Sequence, residues 1–210
     1  MKKIYFVRHG ETEGNVGKFF QTSDTKLTEK GHEGAKAVAS RFKHLDVDAI
    51  FASPYVRAQQ TALHISEEIG VPVETLVPLH ELLQSISVRG KEWSSSEGQQ
   101  YIEARNRCFF DSAWERDGAE NHIRVLERIR EAVTFIENHT SQNIVVVSHG
   151  LFLNLLSTYL LLGKSINSST HKTLSESLHL LSNVAITEFI FDGTNWKLFT
   201  WNDHAHFAEY

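Results

Sequence analysis

The sequence predicts an α/β protein: a three-layer α/β/α sandwich around a mostly parallel central sheet. Three observations carry this expectation. Short apolar runs alternate with helical patterns along the chain, the order that builds βαβ units. The runs at 4–7 and 144–147 lack polar alternation, as strands covered on both faces do. The chain holds only three prolines and shows no low-complexity tract, repeat or long linker. Its 210 residues are enough for a sizeable core, and 1–210 reads as a single domain.

The elements follow in order. Residues 4–7 (Ile-Tyr-Phe-Val) read as a buried strand. Ala35, Val38, Ala39, Phe42 and Leu45 recur at helical spacing, which predicts a helix over about 29–45. Residues 49–52 form the second strand. Ala58, Ala62, Ile65 and Ile69 mark a helix over 55–69, with Pro54 near its start and Gly70 as its stop. A short strand is expected within 71–77. The segment 80–120 is polar, includes Ser94-Ser95-Ser96, and reads as an insertion beside the site. Leu126, Ile129, Val133 and Ile136 line a helix over 121–138, followed by a strand at 144–147 and a helix at 151–162. Residues 185–191 and 196–201 read as a hairpin turning at Asp192-Gly193.

Bulk chemistry narrows the partners. The net charge of −5 argues against a general nucleic-acid or anionic-membrane binder. A single cysteine, Cys108, permits no intramolecular disulfide and fits a cytoplasmic home; it reads as a packed thiol. Lys2 and Lys3 precede too short an apolar run for a signal peptide. The apolar stretch 151–162 is too short to span a bilayer.

Ligands of such sheets bind at the C-terminal ends of the parallel strands. Three of those ends carry unusual residues: Arg8-His9-Gly10, the run from Ser53 through Arg57 to Ala62, and Ser148-His149-Gly150. Two histidines and two arginines thus arrive at successive strand ends. Phosphoryl transfer needs a nucleophile in line and fixed positive charge around the phosphoryl oxygens. A neutral imidazole supplies the first and arginine forks the second. Glycine after each histidine frees space where backbone and phosphate come close. Adjacent strand residues point to opposite faces, so the chain must leave strand geometry near His9 for Arg8 and His9 to share one phosphate.

Residues 8–15 (Arg-His-Gly-Glu-Thr-Glu-Gly-Asn), 27–31 (Leu-Thr-Glu-Lys-Gly), 53–62, Ser148-His149-Gly150 and 202–207 resemble, in order, the signature blocks of the histidine phosphatase superfamily, the phosphoglycerate-mutase-like proteins. The resemblance implies that His9 is phosphorylated. It implies that Arg8, Arg57, His149 and Gly150 surround the phosphoryl group, with Asn15 contacting it or positioning the loop. It places the general acid and base at Glu81, in Leu79-His80-Glu81 after the third strand. Glu11 and Glu120 are the next carboxylates to consider.

This sequence departs from the family pattern after Glu81. The mutases carry Arg-His-Tyr-Gly there, whereas this chain reads Leu82-Leu83-Gln84-Ser85. Hydrolysis of a small phosphorylated substrate is therefore expected, without a cofactor or metal. A phosphomutase is the alternative, and a non-catalytic phosphate-binding scaffold a third reading. The twelve histidines, His204 and His206 among them, show no convincing metal-ligand spacing. Arg89 and Lys91 could meet a second anionic group or be solvated charges. Oligomeric state is open.

Overall fold

The computed structural model describes residues 1–111 and 114–207. Among them six strands form one sheet: β1 (Lys2–Arg8), β2 (Ala49–Ala52), β3 (Val73–Thr75), β4 (Asn143–Ser148), β5 (Ile186–Phe191) and β6 (Trp196–Asp203). Their order is β3-β2-β4-β1-β5-β6. The first four run parallel, and β5 and β6 complete the sheet as an antiparallel hairpin. The helices are α1 (Glu13–Val16), α2 (Glu29–Phe42), α3 (Val56–Ile69), α4 (Ser96–Cys108), α5 (His122–Asn138), α6 (Gly150–Leu162) and α7 (Ser168–Ser177).

The pleat explains why the central strands are apolar throughout. Successive side chains leave opposite faces. In β1, Ile4 and Phe6 enter one core with Ile129, Ile136 and Phe152 of α5 and α6. Tyr5 and Val7 enter the other, with Val38 and Phe42 of α2 and Ala62 and Ile65 of α3. In β4, Ile144 and Val146 join the first core, and Val145 and Val147 the second. Each such side chain contributes roughly 1.5–3 kcal/mol on burial. Two cores on one sheet make the three layers.

The topology also sets the site. From β1 the chain goes to β2 and β3, then returns as β4 into the slot between β2 and β1. The C-terminal ends of β1, β2 and β4 therefore lie side by side. His9 N–H donates to the Ser148 carbonyl at 2.9 Å, and Ser53 N–H to that of Val147 at 3.0 Å.

Some bounds differ from the sequence expectation. The second helix stops at Phe42, and Leu45 is an exposed turn residue whose N–H returns to the Phe42 carbonyl. The third strand is only Val73–Thr75, at the sheet edge, followed by a 3₁₀ turn at Val77–Leu79. Three helices escaped the pattern reading: α1, of four residues, α4 and α7. In α4 only Gly98, Tyr101 and Ala104 are buried, and in α7 only His171. Their starts are fixed by capping: the Ser95 side chain accepts from Gly98 N–H, and Asn167 from Thr170 N–H. Cys108 is half-buried against the first core. No helix among the described residues is long and apolar enough to cross a membrane.

Candidate active site

Strand geometry ends at Arg8, and His9 follows outside it. The His9 ring is buried. Its Nδ1 lies 2.7 Å from the Gly10 carbonyl. A carbonyl only accepts, so Nδ1 carries the proton and Nε2 the lone pair. Arg57 Nε donates toward that Nε2 at 3.3 Å. Burial, with Arg57 and then Arg8 beside it, holds the imidazole well below its ordinary 6.5. His9 is therefore neutral at physiological pH, with its lone pair directed out of the backbone anchor.

Arg57 comes from the first turn of α3 and is buried. Its Nη1 donates to the Thr22 carbonyl at 2.8 Å, and its guanidinium lies 5.1 Å from the Tyr55 ring centre. Burial lowers it to about 10, so it stays charged. Arg8 donates through Nη1 to the Leu181 carbonyl. Its buried Nε has no protein partner among the described residues. His149, wholly buried, stands 5.1 Å from His9 between ring centres. Its Nε2 is 2.7 Å from Ser53 Oγ. Tyr55 N–H donates to that hydroxyl at 3.3 Å, and among the described residues its own hydrogen has no acceptor but Nε2, so the tautomer that pairs it carries the imidazole proton on Nδ1. That Nδ1 is also buried without a protein partner. Burial, then Arg57 and His9, keeps His149 neutral as well.

Two buried donors, Arg8 Nε and His149 Nδ1, thus stand unpaired around one lone-pair nitrogen. Buried polar groups are normally paired. Phosphoryl oxygens are acceptors that would satisfy both.

The two glycines that follow the histidines prove to make room for protein. A Cβ on Gly10 would sit 2.5 Å from the Gly31 carbonyl oxygen, so this glycine lets the loop after β1 press onto the start of α2. A Cβ on Gly150 would meet Arg8 Nε at 3.3 Å, so this one lets the guanidinium lie across the start of α6.

Glu81 follows the 3₁₀ turn after β3. Its Oε1 accepts from Leu82 N–H at 2.9 Å and Phe152 N–H at 3.0 Å. Its Oε2 accepts from Leu151 N–H at 3.2 Å. The carboxylate thereby caps α6, whose own cap residue, His149, makes no side-chain cap bond. Asn15 Oδ1 receives Thr12 N–H, Thr12 Oγ1 and Asn183 Nδ2 at 2.9–3.2 Å, and its Nδ2 has no partner among the described residues. Arg8, His9, Asn15, Arg57, Glu81 and Gly150 all line one cavity of about 340 Å³.

Other candidates fall elsewhere. Glu11 accepts from Thr28 Oγ1 at 3.0 Å and ties the first loop to α2. Glu120 is buried in a two-bond pair with Arg128, at 2.9 and 2.7 Å. Lys91 pairs with Glu97 on the surface. Arg89 lines a smaller cavity that shares Gln21, Arg57, Glu81 and Gln84 with the main one. His204 is exposed, its Nδ1 on the Asn202 carbonyl, and His206 is half-buried near Arg41 and Asp203. Neither is among the residues that line the cavity. Among the described residues no three His, Cys, Asp or Glu side chains are grouped to hold a metal ion.

Three supports were not read from the sequence. Ser53 orients His149. Thr61 Oγ1 accepts from Gly10 N–H at 3.0 Å and donates to the Arg57 carbonyl, joining the two loops. Asn183 Nδ2 donates to the His9 carbonyl at 2.9 Å. Ser53 and Thr61 stand inside the matched 53–62 block, where a signal existed. Asn183 stands in an apolar stretch before β5 and carried none.

The chain resembles known proteins in sequence and in fold. A phosphoserine phosphatase from Hydrogenobacter thermophilus is 28% identical over 71% of this chain and 71% of its own. A protein named a probable phosphoglycerate mutase, from Erwinia tasmaniensis, is 27% identical over 100% of this chain and 96% of its own. A solved mycobacterial glucosyl-3-phosphoglycerate phosphatase shares the fold, with a TM-score of 0.80 at 24% identity over 96% of this chain and 99% of that one. The model of the histidine phosphatase superfamily, branch 1, matches residues 4–204. The chain belongs to the histidine phosphatase superfamily, branch 1.

Proposed function

We propose that the protein is a metal-independent phosphomonoester hydrolase that works through a phosphohistidine on His9. One observation carries the reading. The His9 lone pair on Nε2 faces Arg57 while Nδ1–H is tied to a carbonyl, and two unpaired buried donors stand beside it. Neutral Nε2 attacks phosphorus, and the phosphorus bond to the leaving oxygen breaks. Glu81 gives that oxygen its proton. Of its two oxygens, Oε2 accepts a single N–H, at 3.2 Å, and so keeps a lone pair for the proton. Arg8, Arg57 and His149 hold the phosphoryl oxygens as charge develops. Water then attacks, Glu81 takes its proton, the N–P bond breaks and phosphate leaves. The two guanidinium charges supply the electrostatics that a metal ion supplies elsewhere.

Rapid mixing with ³²P-labelled ester, quenching in alkali and mapping the labelled peptide tests the mechanism. The label should be acid-labile, base-stable and on His9, and His9→Ala should abolish both label and turnover. A label on His149, or normal turnover in His9→Ala, would overturn the assignment. Transfer to a second hydroxyl is the other reading, favoured by the mutase-named relative. A requirement for a bisphosphorylated primer would establish it.

A further inference from the structure

The cavity lined by Arg8, His9, Arg57 and Glu81 is apolar over much of its remaining wall. Phe19, Phe20, Trp93, Ile102 and Leu180 line it, with Asn15, Gln21 and Gln84 as the neutral polar exceptions. Phe19 is 36% and Trp93 38% exposed, large aromatic surfaces turned to solvent at the site. Past Arg105, Leu151 and Leu180, which wall both spaces, lies a second cavity of about 400 Å³ lined by Leu82, Phe109 and Leu155 among others. The apolar surface therefore continues beyond the first chamber.

Charge sets a second condition. Arg8, Arg57 and Arg105 line the first cavity, and Glu81 is its one acidic group. Glu81 is already engaged by three backbone N–H groups. Arg105 bonds to Asn106 Oδ1 at 3.3 Å and has no carboxylate partner among the described residues. With Arg8 and Arg57 taken by the phosphate, a substrate ammonium would meet Arg105 and no free protein carboxylate. A hydroxyl-rich body would lose its water against Phe19, Phe20 and Trp93 and find few partners in return, Asn15, Gln21 and Gln84, whose Oε1 is buried without a partner among the described residues, being the neutral ones.

We propose that the ester hydrolysed here has an apolar leaving group, a ring or branched hydrocarbon body that packs on Trp93 and Ile102, in place of a sugar, glycerol or amino-acid body. The proposal rests on reading the site as a phosphomonoester hydrolase, and it names the alcohol that the site selects.

The test compares kcat/KM for 2-phenylethyl, ethyl and glycerol phosphates and phosphoserine; glycerol and serine are the better leaving groups, so intrinsic reactivity works against the expected order. The aromatic ester should lead the other three by about tenfold or more. Trp93→Ala should reduce the phenylethyl-to-ethyl ratio by about tenfold. Any loss of folded protein cancels in that ratio. A preference for glycerol phosphate or phosphoserine, or an unchanged ratio in Trp93→Ala, overturns the proposal. Calorimetry with 3-phenylpropylphosphonate and propylphosphonate reads the pocket without turnover. If no ester is hydrolysed yet the phenyl compound binds about tenfold tighter, the hydrolase reading fails and the apolar subsite stands. Equal binding of the two phosphonates overturns the subsite.

Discussion

Arg128→Met should damage both the fold and one particular step of the chemistry. Arg128 lies on α5 and is buried. Its guanidinium bonds twice to Glu120, reaches the carbonyls of Pro78 at 2.7 Å and His80 at 2.6 Å, and lies 4.5 Å from the Phe152 ring centre. Glu120 in turn accepts from Leu83 N–H at 2.8 Å. Backbone groups on both sides of Glu81 are therefore clamped by one ion pair. Removing the cation leaves a buried carboxylate without its partner, a change that typically destabilises by ~3–5 kcal/mol. Against a typical stability of ~5–15 kcal/mol, that loss is large but survivable. Arg128→Met/Glu120→Gln should recover part of it, since the stranded charge is gone.

The chemical effect is selective. With the clamp released, Glu81 loses its fixed place, and a misplacement of ~1 Å costs about 100-fold. That loss falls on esters that need protonation of the leaving oxygen. An aryl ester with a good leaving group, such as 4-nitrophenyl phosphate, departs without it. Since kcat/KM reports the steps up to phosphorylation of His9, the alkyl-to-aryl ratio of kcat/KM isolates the acid. Urea denaturation measures the stability change, and the ratio measures positioning. Equal losses on both esters, or a destabilisation below ~1 kcal/mol, would refute the reasoning.

The remaining predictions are shorter. Glu81→Gln should lower kcat/KM on alkyl phosphates by ~100- to 10,000-fold with a much smaller effect on 4-nitrophenyl phosphate; a uniform loss would remove Glu81 from the acid's role. Turnover should persist in excess chelator, and loss restored by a divalent ion would contradict the proposed electrostatics. Stability should fall as pH drops below 6.5. His9 and His149 are held neutral by burial, and burial lowers His122, with His171 and Arg130 beside it, to about 4. Their folded-state affinities for protons lie below the unfolded value, so the unfolded chain binds more protons in this window and the native state weakens. Urea titrations between pH 7 and 4 check the sign.

How much of this was legible beforehand depended on what kind of signal each residue left. Strands buried on both faces gave unbroken apolar runs, and α2, α3 and α5 gave clear helical periods, so the layers followed from the sequence. α4 and α7 each bury too few side chains to show a period. The residues at the strand ends were legible because histidine and arginine there are chemically unusual. The links among them were not. Thr61 receiving Gly10 N–H, Asn183 holding the His9 carbonyl, and Arg128 reaching back 50 residues to Pro78 are long-range hydrogen bonds made by ordinary polar residues. Only the fold brings them together. The glycines were read for a close approach to phosphate; the protein neighbours that also require them, Gly31 for Gly10 and Arg8 for Gly150, left no mark in the sequence.

The start of α6 shows why these parts act as a unit. Its cap position is occupied by His149, whose ring is turned to Ser53 and bonds none of the helix N–H groups. Its first helical residue is Gly150, whose missing side chain leaves room for Arg8. Its next two N–H groups, on Leu151 and Phe152, are received by Glu81 from another segment. One helical turn thus sets the proposed phosphate donor His149, an arginine and the proposed acid relative to each other. The positive end of the helix faces the carboxylate formed when Glu81 gives up its proton, which is the form needed to accept a proton from water in the second step. Substitutions at His149, Gly150 and Glu81 should therefore be non-additive. Gly150→Ala, which displaces Arg8, should lose less in a Glu81→Gln background than alone. Additive losses across that pair would mean the two groups hold the phosphate and the proton independently.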